Sequence, residues 1–179
     1  QNPLMYYTGA VLLQLGADVL RVNADYSVPE YQNAPQDQQA AWLAEDAAAA
    51  VQAAQKQGGY GRLVLAGKSL GTLALAQLLS RSVPAGTIVL WLTPLLHLPP
   101  LVDAAARFSG PALFVAGSAD PAFDPEAFQK IREANGATAY LVKDANHSLD
   151  IPGDVISSIQ EMKDTQAVIL DFLKSRLKA

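Results

Sequence analysis

The run Arg62 to Gln77, RLVLAGKSLGTLALAQ, constrains this chain more than any other stretch. An apolar segment, Leu63 to Ala66, stops at Gly67 and gives way beyond Gly71 to Ala and Leu at spacings of three and four. That change of period marks a buried strand passing into a helix. Between the two stands Gly67-Lys68-Ser69-Leu70-Gly71, a G-x-S-x-G pattern. At such an elbow the serine is forced into an unfavourable backbone conformation, with its hydroxyl clear above the sheet. Gly67 and Gly71, two positions either side, are expected to be glycine because Cβ atoms there would collide across the turn. The helix that follows points its N-terminus at the serine, where free N–H groups and the macrodipole favour developing negative charge. Taken alone, the five residues also fit an ordinary strand-to-helix turn with a capping serine. The rest of the chain decides between these readings.

Composition narrows the chemistry. At 179 residues the chain is expected to form one domain, 1–179, with a substantial core. A formal charge of −4 gives no reason to expect nucleic acid as a partner and no basic patch for a membrane surface. With no cysteine, disulfides, thiolate metal sites and a cysteine nucleophile are all excluded. His97 and His147 are the only histidines, too few for a His-rich metal site, and no cofactor is implied. No apolar run is long enough for a membrane-spanning helix, and the visible N-terminus has no signal-peptide pattern, so a soluble cytoplasmic protein is the default expectation.

In chain order, strands alternate with helices. Leu4, Tyr7, Val11 and Leu15 share one helical face, closed by Gly16. Residues 17–22 (ADVLRV) read as a short strand and Asn23 to Asn33 as polar loop. Pro35 opens a long Ala-rich helix that Gly58-Gly59 ends and that reads as scaffold alone. After the elbow come strands at 87–92, 111–116 and 138–142, a short helix within 95–108, and a helix from Pro125 to Asn135 capped by Gly136. The tail helix, 154–177, offers Ile159, Met162, Ile169, Phe172, Leu173 and Leu177 to the sheet. Such alternation predicts βαβ units: a three-layer α/β/α sandwich with a mainly parallel sheet.

In such sheets ligands bind at the carboxyl ends of the strands. The strand at 111–116 runs out at Gly117-Ser118-Ala119-Asp120, and that at 138–142 is followed by Lys143-Asp144-Ala145-Asn146-His147-Ser148. Both therefore reach the edge that carries Ser69, in the chain order Ser, Asp, His expected of a nucleophile elbow on an α/β sheet. His147 would take the proton of the Ser69 hydroxyl. Asp120 would hold the imidazole tautomer and stabilise the imidazolium, and the Leu70 N–H would supply one oxyanion donor.

With AGKSLG at 66–71, GSADP at 117–121 and ANHSLD at 145–150, the chain resembles an α/β-hydrolase of the small, dienelactone-hydrolase-like kind with little or no lid. The resemblance covers most of the chain. It implies that the acid of a G-x-x-D after a late strand is Asp120 and that the loop histidine before the final helix, His147, is the base. The superfamily spans esterases, lipases, thioesterases, peptidases and lactone hydrolases, so the resemblance implies mechanism better than substrate. One departure stands out. The family's sheet has a strand immediately before the first helix, between those placed at 17–22 and 63–66, and the loop after it gives the second oxyanion N–H. Here the sequence begins at that helix. Either an N-terminal piece of the natural protein is missing or the two strands pair directly. The former is expected, because a gap in mid-sheet leaves two rows of backbone groups unpaired. Loss of one oxyanion donor would cost about a hundredfold or more in rate.

Other residues are assigned in the same way. Lys68 reads as an elbow side chain facing solvent, with contact to an anionic substrate as the alternative. His97 reads as a partly buried, satisfied group, or as a pocket residue. Asp124, before Pro125, looks like a helix cap rather than a rival to Asp120. Asp103, Asp144 and Asp150 read as surface or turn carboxylates, and Trp91 as core. The segment Thr93 to Gly110 is too short for a lid of several helices. The expected pocket is therefore open and shallow, bordered by Thr93, Pro94 and Leu95 and lined by Leu95, Leu96, Leu98 and Leu101. Two functions follow. The first is a serine hydrolase acting on a small or medium carboxylic ester, lactone or related acyl substrate through an acyl-enzyme on Ser69. The other is a non-catalytic interaction module that keeps the fold.

Overall fold

The computed structural model of the chain describes residues 2–81 and 83–177. Four parallel strands, β1 (Val64–Lys68), β2 (Ile88–Leu92), β3 (Ala112–Gly117) and β4 (Thr138–Val142), lie in the sheet in that same order. Around them stand α1 (Pro3–Gln14), α2 (Pro29–Gln32), α3 (Gln36–Gln57), α4 (Leu70–Leu79), α5 (Pro99–Arg107), α6 (Pro125–Asn135) and α7 (Val155–Leu177).

The layering follows from handedness and the two-residue period of a strand. Because the strands are laid down in one direction, right-handed crossovers put α4, α5 and α6 on the same face. There they bury Leu75, Leu101, Val102, Phe128 and Ile131 against Val89, Trp91 and Phe114, with Val51 of α3 alongside. The alternate residues Ile88, Leu90, Leu92, Leu113 and Val115 point the other way, onto Leu4, Val11 and Leu12 of α1 and Ile169, Phe172 and Leu173 of α7. Both faces of β2 and β3 are covered, so every residue of these strands is buried, as parallel strands in a sandwich require. Trp91 is wholly buried and stacks on Phe114, ring centroids 5.5 Å apart.

Several expectations are corrected. Residues 17–22 form no strand. Ala17 and Val19 rest on the core, Leu20 and Val22 are 55% and 57% exposed, and neither these residues nor β1 pair with one another. Among the described residues no strand lies beside this segment, and without a neighbouring strand there is no ladder to join. Tyr7 is exposed and Thr8 takes its place on the buried face of α1, its hydroxyl donating to the Leu4 carbonyl at 2.8 Å. Ile159 lies on the solvent side of α7, while Ile169, Phe172 and Leu173 of that helix are buried. The loop at 23–33 also folds further than polar composition suggests: α2 buries Tyr31 between Tyr26 and Trp42, and the Tyr26 hydroxyl donates to Asp46 at 2.7 Å.

Two glycines let the carboxyl ends of strands meet the neighbouring backbone. A Cβ on Gly67 would lie 2.5 Å from the Gly71 carbonyl oxygen and 2.8 Å from Leu75. One on Gly117 would strike the carbonyls of Ala145 and Asn146. Gly71, contrary to expectation, has open space where its Cβ would be. Gly67→Ala and Gly117→Ala should each cost about 2 kcal/mol or more, because backbone cannot move aside as a side chain can. Thermal denaturation should show the two melting roughly 5 °C or more below wild type. Gly71→Ala, in the first turn of a helix, should melt at or near the wild-type temperature.

Candidate active site

β1 delivers the chain to Ser69 and α4 carries it away. Between them Ser69 takes φ 52°, ψ −120°. For a residue with a side chain this conformation costs on the order of 1–3 kcal/mol and persists only where its surroundings hold it. They do so here. Its N–H donates to the Leu92 carbonyl of the neighbouring strand at 3.1 Å, and its carbonyl accepts from the Thr72 N–H at 2.8 Å and from the Thr72 hydroxyl at 2.6 Å. Thr72 is completely buried and also receives the Leu95 N–H at 3.4 Å, tying the loop after β2 to the elbow. Leu70 opens α4, and the first N–H groups of a helix have no acceptor within it.

On the next loops lie Asp120 and His147. Asp120 follows β3 with its carboxylate 1% exposed; one oxygen accepts the Ala122 N–H at 2.8 Å and the other stands 2.8 Å from Nδ1 of His147. His147 itself keeps 34% of its side chain in contact with solvent. Its loop is folded by Asn146, whose side chain accepts from the N–H groups of Ser148 and Asp150 at 2.8 and 3.2 Å. It is fastened to the loop after β3, where Ala119 donates to the Ala145 carbonyl and the Ser118 hydroxyl accepts from Asp144. Asp144 and Leu149 both adopt positive φ, 58° and 64°, so this loop too is held in a form it would not take alone.

Asp124 caps α6, accepting from Glu126 and Ala127 at 2.9 and 3.0 Å, and takes no part in the pair. Among the described residues the Ser69 hydroxyl makes no hydrogen bond to the imidazole, so the structure joins Asp120 to His147 and leaves the Ser69 link open. Lys68 departs from expectation. It is half-buried, and its ammonium donates to the His147 carbonyl at 3.1 Å. Burial pushes its pKa down, while the charges of Asp120 and Asp150 oppose that shift.

The residues expected to line a pocket divide. Leu96 and Leu101 are closed off in the core, 1% and 0% exposed, because they complete the apolar face under α5, and so neither forms a pocket wall. Leu95 and Leu98 are half-buried against that core, and His97 is exposed rather than partly buried. Thr93 and Pro94 are buried; Thr93 has φ 43°, unusual for a β-branched residue, and its hydroxyl has no partner among the described residues. Sequence reasoning missed Thr72 and Asn146. Their signals were a hydroxyl three residues into the helix and an asparagine two before a serine, both local back-bonding patterns. Nothing local marked Lys68, whose partner is 79 positions away.

An alpha/beta hydrolase domain family matches residues 1–174 of the chain. No curated protein matches it in sequence. Among solved structures, Est1E from Butyrivibrio proteoclasticus with bound ferulic acid is similar, with TM-score 0.71, 13% identity, and coverage of 98% of this chain and 84% of that one. A putative α/β-superfamily hydrolase from Xanthomonas campestris pv. campestris has TM-score 0.63 and 23% identity, covering 97% and 90%. A lidless α/β serine hydrolase from Xanthomonas campestris has TM-score 0.56 and 16% identity, covering 98% and 74%. At these identities the structural likeness speaks to fold alone, whereas the family match spans nearly the whole sequence: the chain belongs to the α/β-hydrolase domain family.

Proposed function

We propose that this protein is a serine hydrolase that cleaves small or medium carboxylic esters, lactones or related acyl compounds, with Ser69 as nucleophile, His147 as base and Asp120 as orienting acid. The observation that carries the reading is the 2.8 Å contact between Nδ1 of His147 and the buried Asp120 carboxylate. That contact fixes the tautomer with Nδ1 protonated and leaves Nε2 as the free acceptor a serine hydroxyl needs.

The steps follow from the groups present. Nε2 of His147 takes the proton as the Ser69 oxygen attacks the acyl carbon, and Asp120 stabilises the imidazolium. The oxyanion forms against the start of α4, where the Leu70 N–H and the helix dipole favour negative charge. The imidazolium then gives its proton to the leaving alcohol, and water, activated by the same base, releases the acid from Ser69. A base one-third exposed to solvent suits acyl groups that enter from the open side. Leu95, half-buried on the loop tied to the elbow through Thr72, is the proposed border for the acyl group, with Thr93, Pro94 and Leu96 buried behind it. The ferulic acid bound by Est1E makes hydroxycinnamate esters a sensible addition to a substrate panel.

A fluorophosphonate probe should label the protein, and a short p-nitrophenyl ester should be hydrolysed, with both lost in Ser69→Ala. A folded wild-type protein that neither labels nor turns over any of a broad acyl panel would overturn the reading and favour a non-catalytic module. Asp120→Asn should keep the bond from Ala122 but present an amide N–H to Nδ1, imposing the wrong tautomer. Its kcat should fall by roughly 1,000- to 10,000-fold with the melting temperature lowered far less than activity, as kinetics and calorimetry on the same sample will show.

A further inference from the structure

Three kinds of tie hold the loop that carries His147. The bonds of Asn146 fold it on itself; those from Ser118 and Ala119, with the Asp120–His147 contact, fasten it to the loop after β3. All of these set the imidazole relative to the acid, and none sets it relative to the serine. Among the described residues a single hydrogen bond joins residues 143–150 to the elbow: the Lys68 ammonium donating to the His147 carbonyl at 3.1 Å. Lys68 is the last residue of β1, immediately before Ser69, and the strand beside it is pinned in register with Leu92.

We propose that Lys68 is a positioning residue for the base, tying the main chain of His147 to the strand that presents Ser69 and so setting where the imidazole stands over the nucleophile. The inference rests on the hydrolytic reading above and adds to it how base and nucleophile, on separate loops, are held in register. An ammonium suits the task, since it carries its charge into a half-buried place and donates up to three hydrogen bonds. The charged groups facing it are Asp120 from the loop after β3 and Asp150 from the end of the His147 loop, and their charges offset its loss of water. Catalysis is steep in such placement, an error of about 1 Å costing up to a hundredfold.

The test uses the full chain carrying Lys68→Met and Lys68→Arg. Turnover of a neutral and of an anionic p-nitrophenyl ester is measured beside the imidazole NMR spectrum, which is simple to read because His97 and His147 are the only histidines. Lys68→Met should lose roughly tenfold or more in kcat with KM within about twofold. The proton shared by His147 and Asp120 should exchange faster with solvent, and Lys68→Arg should recover most of both properties. If a folded Lys68→Met retains wild-type kcat and an unchanged imidazole spectrum, the proposal is overturned. A raised KM confined to anionic esters overturns it too, and makes Lys68 a substrate contact. If wild type turns over nothing, the hydrolytic reading falls alone, and the imidazole spectrum of Lys68→Met still decides whether the tie exists. Should Lys68→Met not fold, Lys68→Gln is judged by the same criteria.

Discussion

A carboxylate as deeply buried as Asp120 is held in place only if both of its oxygens find partners, because an unpaired charge out of water costs several kcal/mol. One oxygen takes a backbone N–H from its own loop, the other the imidazole of a loop beyond the next strand. Those demands fix the rest of the neighbourhood. The two loops must leave the sheet at the same edge, which parallel strands guarantee. They must also approach closely enough that position 117 has room for nothing beyond a hydrogen.

Strain collects along the same edge. Among the described residues, those other than glycine with positive φ are Ser69 after β1, Thr93 after β2, and Asp144 and Leu149 after β4. None lies at the amino ends of the strands. Backbone in this region is costly for residues with side chains, so each must be over-determined by what surrounds it. For Ser69 the restraint is visible in Leu92 and Thr72; for the loop at 144–149 it is Asn146 together with Ser118 and Ala119. The opposite faces of the sheet, where apolar side chains meet in two layers, supply the stability that makes such local expense tolerable.

How much of this could be read from the sequence depends on the range of the interaction. Helix α6 and strand β4 fall on their expected bounds because Pro125 and Gly136 punctuate them, and Asp124 caps α6 as its place before a proline implies. The pairing of Asp120 with His147 was legible because strand ends and chain order restrict which side chains can meet. The strand expected at 17–22 failed for the opposite reason: a short apolar run says that a segment can extend, not that a neighbouring strand exists to bond it. Leu96 looked like pocket lining because apolar character alone cannot tell a wall from a core. Lys68 was unreadable, since its partner is a main-chain carbonyl and carbonyls leave no mark in a sequence.

The first and last helices, α1 and α7, pack on each other and share the face of the sheet that covers Leu90 and Val115. Thr8 of α1 reaches Gln166 of α7 at 3.5 Å. Neither helix can peel away without baring the apolar flank of its mate and the strand residues beneath them both. Two helices that lie more than 140 residues apart in the sequence thus act as one cover, and opening that face of the sheet requires both to move together.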